Sequence, residues 1–133
     1  MRRTILLSIL TFYSLAVCAQ SLDYERIAAH PRLLLTEGEE EAIRKSIADY
    51  SSLWKVHEHI LQESNEMLTQ KTVERIMEGR RLLGVSRLAL KRIFYLSYAY
   101  RMTKEKKYIH RAEQEMLSVS HFTDWNPSHF LDV

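Results

Sequence analysis

From about residue 36 to residue 119, apolar side chains return at every third or fourth position, and no run sustains the one-by-one alternation of a strand. That spacing lines up one stripe of a helix, because a turn takes about 3.6 residues. Three glycines and two prolines in 133 residues leave few places for a helix to break. The predicted fold class is therefore all-α, built from antiparallel helical hairpins joined by short links. Such hairpins either form a small bundle or open a larger α/α array. No strict internal repeat marks a tetratricopeptide-like solenoid.

Local signals divide this region. Residues 27–35 read as an extended lead-in, since Pro31 disfavours helix at His30 and Leu33, Leu34 and Leu35 make a short apolar anchor. Thr36 is the expected N-cap of a first helix, with Glu39 completing a capping box. Glu37, Glu39, Glu40 and Glu41 suit the positive end of that helix, so the acidic run needs no metal. Its stripe is Ala42, Ile43, Ile47 and Tyr50. Ser51 or Ser52 should cap a second helix ending near residue 68, with Leu53, Trp54, His57, Ile60, Leu61, Ser64, Met67 and Leu68 on one side. A break follows at 69–71, and 73–83 is hard to place because Gly79 and Gly84 interrupt it. Ser86 should cap a third helix with Leu88, Leu90, Phe94, Tyr95, Tyr98 and Met102 inward. Thr103 should cap a fourth, with Tyr108, Ile109, Ala112, Met116 and Leu117 inward. From Asp124 the chain returns to loop, and Asn126-Pro127 signals a turn.

The first nineteen residues read as a secretory signal. Arg2 and Arg3 form a positive start, residues 5–17 an apolar stretch too short and too polar for a stable span, and Val17-Cys18-Ala19 a small-residue cleavage site. Cleavage after Ala19 leaves residues 20–133 as the α-helical part and implies a periplasmic or secreted location. A buried N-terminal helix is the alternative. A lipoprotein anchored through Cys18 is another, although Val17 stands where such a signal wants Gly, Ala or Ser. Cys18 is the only cysteine, so the mature chain has no disulfide and no thiolate for catalysis or metal binding.

Charge is unevenly spread. Residues 20–74 carry 6 basic and 11 acidic side chains, residues 75–111 carry 11 basic and 2 acidic, and residues 112–133 carry 4 acidic and none basic. The basic middle could face an acidic partner, or it could be a solvated surface balanced by its acidic flanks. Secretion argues against nucleic acid.

Chemistry-bearing motifs are few. His57 and His59 diverge on a helix, as do Glu113 and Glu115, so neither pair makes a ligand set or an acid/base couple. His57 falls on the apolar stripe as a satisfied core histidine, while His59 and His110 fall on the surface. There is no G-x-S-x-G elbow and no glycine-rich phosphate loop. No metal, cofactor or catalytic residue is assigned. The aromatic run 94–100 reads mostly as core, although Tyr95 and Tyr100 could line a cleft. Trp125, Asn126 and His129 are the substrate-binding candidates. An indole face matches the C–H face of a sugar ring, and an amide and an imidazole can hydrogen-bond hydroxyls or a uronate carboxylate. The alternative is a packed helix–loop junction with Asn126 as a cap and His129 structural.

Two segments together carry a resemblance. His30-Pro31-Arg32-Leu33-Leu34-Leu35-Thr36 looks like the opening segment of the heparinase II/III-like polysaccharide lyases. Trp125-Asn126-Pro127-Ser128-His129-Phe130-Leu131-Asp132-Val133 resembles the segment that follows their first helices. The spacing between the two and the tyrosine-rich helix also fit. The resemblance implies a signal peptide, the first part of an incomplete (α/α) toroid, β-sandwich domains beyond it, and β-elimination on uronic-acid polymers such as heparin or heparan sulfate. The family's catalytic tyrosine and histidine match no segment here. The expectation is an N-terminal fragment that contacts an acidic polysaccharide and is inactive alone. The rival is a non-enzymatic periplasmic helical module that binds a glycan or a protein. An apolar face left exposed on the last helices is expected if the toroid is cut short.

Overall fold

The computed structural model describes residue 30 and residues 34–129. The proposed signal, residues 31–33 of the His30–Thr36 segment and residues 130–133 lie outside the described residues. The chain divides at Glu37, and the second unit holds every helix described. These are α1 (Glu39–Asp49), α2 (Ser51–Met67), α3 (Leu83–Thr103) and α4 (Lys106–Ser120). Among the described residues there is no strand, only an isolated bridge between Glu78 and Arg81. The all-α expectation holds.

The helix starts differ from those expected. Gly38, with φ 88°, stands at the N-cap of α1 in place of the expected Thr36. Glycine takes this left-handed backbone without the strain a Cβ brings. Tyr50, in extended conformation, closes α1 and opens α2 by itself, which puts Ser51 and Ser52 inside α2. Leu82 precedes α3, and the Ser86 hydroxyl donates back to the Leu83 carbonyl at 3.1 Å. Thr103 ends α3 rather than opening α4. Its hydroxyl donates to the Ala99 carbonyl at 2.7 Å and accepts from the Glu105 amide at 3.2 Å. The reason is common to Ser86 and Thr103: a short hydroxyl can return to the preceding turn as readily as it caps the next one.

Side-chain pairs set the packing. His57 meets Tyr98 and Glu63 meets Lys91, so α2 and α3 run antiparallel. Arg92 meets Glu115, and α4 follows α3 through the short link after Thr103, so these two are also antiparallel. Met67, Leu96, Ala99, Tyr108 and Ala112 form the core between the three helices. The Tyr108 hydroxyl is satisfied by Asn65 Oδ1 at 2.9 Å.

The buried face of α3 is not the expected one. Ala89, Arg92, Leu96, Ala99 and Met102 are buried, whereas Leu88, Leu90 and Phe94 are 41, 57 and 51% exposed. Tyr95 and Tyr98 are half-buried. This helix is apolar nearly all round, so spacing alone does not select a face. The small alanines admit the neighbouring helices, and Arg92 turns inward to a carboxylate. On α4 the expected Tyr108 and Ala112 are buried, but Arg111 and Glu115 take the remaining inner places, while Met116 and Leu117 stay exposed.

A buried ionic cluster explains that choice. Glu115 is fully buried; its Oε1 accepts from Arg92 Nη1 at 2.9 Å and from Arg111 Nη2 at 2.7 Å. Its Oε2 accepts from the Val73 amide at 2.9 Å. Arg92 also donates to the Lys71 carbonyl and to Gln70 Oε1, both at 2.6 Å, and the Ser118 hydroxyl donates to the Val73 carbonyl at 2.7 Å. The break at 69–71 is thereby fastened to α3 and α4.

α1 docks by charge as much as by Ile43 and Ile47, which are half-buried. Arg44 donates to the Met102 carbonyl at 3.0 Å, and Glu40 Oε1 pairs with Arg101 Nη2 at 2.6 Å and with Lys104 Nζ at 3.5 Å. A hydrogen bond from its own backbone, then one from Arg101, holds the Glu40 carboxyl down at about 2. A depressed carboxyl stabilises the fold above its unfolded pKa and loses that contribution as pH falls through the folded value. Thermal unfolding should therefore show Glu40→Gln below the parent at neutral pH, with the two converging as pH drops from the usual carboxylate range towards 2. A gap that stays constant with pH would contradict the assignment.

Candidate functional site

The segment 73–82 and the segment after α4 meet at one end of the helices. The first closes in a tight turn. Glu78 and Arg81 exchange backbone hydrogen bonds at 2.9 and 3.1 Å, and Gly79 supplies the positive φ of 62° that the turn needs. The second is tied down by Arg75, whose Nη2 donates to Asp124 Oδ1 at 2.7 Å and whose Nε donates to the Asp124 carbonyl at 3.0 Å. The Arg75 guanidinium, and after it the Asn126 amide, hold the Asp124 carboxyl below its ordinary range.

Asn126 and His129 bound the expected turn, and Trp125 lies immediately before it. The His129 amide donates to the Asn126 carbonyl at 2.9 Å, with Pro127 at the turn's first central position. Asn126 has φ 54°, a left-handed conformation that asparagine tolerates better than most side chains. Both ends of its carboxamide are engaged: Nδ2 donates to the Arg80 carbonyl at 3.1 Å, and Oδ1 accepts from the Ser128 hydroxyl at 3.0 Å. Asn126 therefore fastens the two segments to each other. Trp125 is half-buried, with its ring 5.1 Å from that of Phe122 at an interplanar angle of 40°. His129 is half-buried as well.

The basic stretch 75–111 is largely neutralised. Arg75, Lys91, Arg92, Arg101, Lys104, Lys107 and Arg111 all have carboxylate partners. Arg80, Arg81, Arg87 and Lys106 have none among the described residues. Much of the stretch is thus a surface balanced by its acidic surroundings. Arg80, Arg81 and Arg87 fall at the 78–81 turn and the first turns of α3, and Lys106 opens α4.

Other candidates are placed as follows. His57 Nδ1 lies 2.9 Å from the Tyr98 hydroxyl, and burial pushes the Tyr98 phenol up. His59 and His110 lie on the surface, 4.0 and 3.9 Å from Glu63 and Glu113. Tyr95 and Tyr100 pack against the core cluster. An open groove of about 670 Å³ runs between the 70–78 segment and the first turns of α3; Val73, Ile76, Val85 and Leu88 give it apolar walls. Among the described residues, no three His, Cys, Asp or Glu side chains gather as a metal set, and no helix is long and apolar enough to cross a membrane. No protein-family model matches the chain, and no curated protein matches it.

The sequence reading missed the Glu115 cluster and the engagement of Asn126. One signal was present for the first: Arg111 and Glu115 are four apart and so neighbours on a helix. None was present for the second, because its partner carbonyl lies 46 residues away.

Proposed function

We propose that this chain is the helical opening portion of a secreted polysaccharide lyase of the heparinase II/III-like type, and that its part is to hold an acidic polysaccharide rather than to cleave it. The observation that carries this reading is the tip formed by the two fastened segments. A half-buried indole sits on a braced turn, and the turn it is braced against bears two exposed arginines without carboxylate partners. Such a tip offers a flat ring for stacking and cations for a uronate or sulfate group. The exposed Leu90, Phe94, Met116 and Leu117 suit a helical array that continues over α3 and α4, as a toroid requires. The resemblance of the 30–36 and 125–133 segments supplies the reaction class, β-elimination on uronic-acid-containing glycosaminoglycans, in the periplasm or outside the cell. No catalytic residue is assigned to this chain, and no cofactor enters the reading.

The test is chromatography on heparin-agarose. The protein should bind at low ionic strength and elute as salt rises, because exposed charges are screened over about 10 Å at roughly 0.1 M salt. Trp125→Ala should elute earlier. Direct passage of the parent protein through the column at low salt would overturn the polysaccharide reading.

A further inference from the structure

The turn at residues 78–81 is held by three hydrogen bonds. Two backbone hydrogen bonds close it, and a third, from Asn126 Nδ2 to the Arg80 carbonyl, pins it to the turn that carries Trp125. The backbones of Arg80 and Arg81 are therefore held, while both side chains are exposed.

Nearby carboxylates are turned to other tasks. The Glu78 carboxylate leans over Gly84 at the start of α3, where a Cβ added to that glycine would lie 3.2 Å from Glu78 Oε1. That is the positive end of the helix, where negative charge is favoured. Asp124 is taken by Arg75. Two guanidinium groups are thus left in solvent on a turn that is hydrogen-bonded to the residue after Trp125. Placing charges on a preformed backbone lowers the ordering cost of binding.

We infer that Arg80 and Arg81 read the anionic substituents of a sugar chain, a sulfate ester or a uronate carboxylate, while the sugar ring rests on Trp125. Guanidinium groups suit this task, since their planar forks match carboxylate and sulfate oxygens two at a time. The assignment rests on the acidic-polysaccharide reading and adds to it the residues that supply selectivity for charge. It also gives Asn126 a positioning role: it holds the arginine turn against the tryptophan turn.

The experiment compares two double variants with the same change in net charge. Arg80→Ala/Arg81→Ala removes the proposed readers. Arg87→Ala/Lys106→Ala removes two further cations of the 75–111 stretch that have no carboxylate partner among the described residues. Affinity for soluble heparin is measured by titration calorimetry, with neutral dextran as the uncharged probe and circular dichroism to confirm that each variant is folded. The first double variant should lose affinity by about tenfold per arginine, the size of one charge-assisted hydrogen bond, and Arg80→Lys/Arg81→Lys should recover only part of it. The second should lose far less, and dextran should not bind. Equal losses in the two double variants would reduce the effect to net charge and overturn the inference while leaving the polysaccharide reading intact. Absence of heparin binding by the parent protein would overturn both.

Discussion

Replacing Glu115 by alanine should cost about 3–5 kcal/mol, the range for removing one partner from a buried charge pair. The carboxylate is fully buried, and Arg92 and Arg111, whose side chains are each about 8% exposed, depend on it. Without it, two guanidinium groups remain inside the structure without a counter-charge, and the Val73 amide loses its acceptor. Small domains are stable by only about 5–15 kcal/mol in total, so this one change removes a large share. Urea unfolding followed by circular dichroism measures it. Glu115→Gln should cost less, since one oxygen can still accept from the arginines. Replacing Arg92, Arg111 and Glu115 together by apolar residues of similar size should recover much of the loss, because the desolvation cost of the cluster disappears with it. A loss below about 1 kcal/mol for Glu115→Ala would fit an exposed surface pair and would contradict the burial described here.

Leu96→Ala and Phe94→Ala form a contrasting pair on one helix. Leu96 is fully buried between α2, α3 and α4, whereas Phe94 is 51% exposed. Truncating a buried leucine typically costs about 2–5 kcal/mol, part of it for the cavity left behind. Truncating a side chain clear of core and caps usually changes stability by about 0.5 kcal/mol or less. The sequence pattern predicted the opposite ranking, with Phe94 inside. Thermal unfolding of both variants therefore tests the helical phase of α3 directly. A larger loss for Phe94→Ala would restore the face read from the sequence.

The existence and order of the helices were legible because α1, α2 and α4 follow the three- and four-residue spacing that a packed helix needs. The breaks near residues 50, 69–71 and 104 were legible too. The facing of α3 was not: with Leu88, Leu90, Phe94, Tyr95 and Leu96 spread round its circumference, many phases bury a comparable apolar set. Tertiary charge pairing decided between them, through an arginine and a glutamate 23 residues apart. Helix caps were misplaced for a local reason, since Ser86 and Thr103 spend their hydroxyls on the preceding turn. At the candidate site, the Asn126-Pro127 turn could be read from adjacent residues. The role of Asn126 as a fastener, and the survival of Arg80 and Arg81 as cations without carboxylate partners, depend on segments brought together only by folding.

The site also separates fold from function in a usable way. Asp124, Asn126 and Arg75 build the tip and should act on binding only through its shape. Trp125, Arg80 and Arg81 expose the groups that would meet a ligand. Variants of the first set should lower stability and binding together, whereas variants of Arg80 and Arg81 should lower binding alone.

The most direct measurement is a two-dimensional ¹⁵N NMR titration of the protein with a heparin-derived oligosaccharide. The indole N–H of Trp125, the amides of residues 78–81 and those of residues 124–129 should shift together and saturate along one binding curve, with α1 and the outer face of α2 unmoved. Shifts that are absent, or that fall on α1 and α2 while the Trp125 indole stays in place, would contradict the polysaccharide-holding role proposed for this tip.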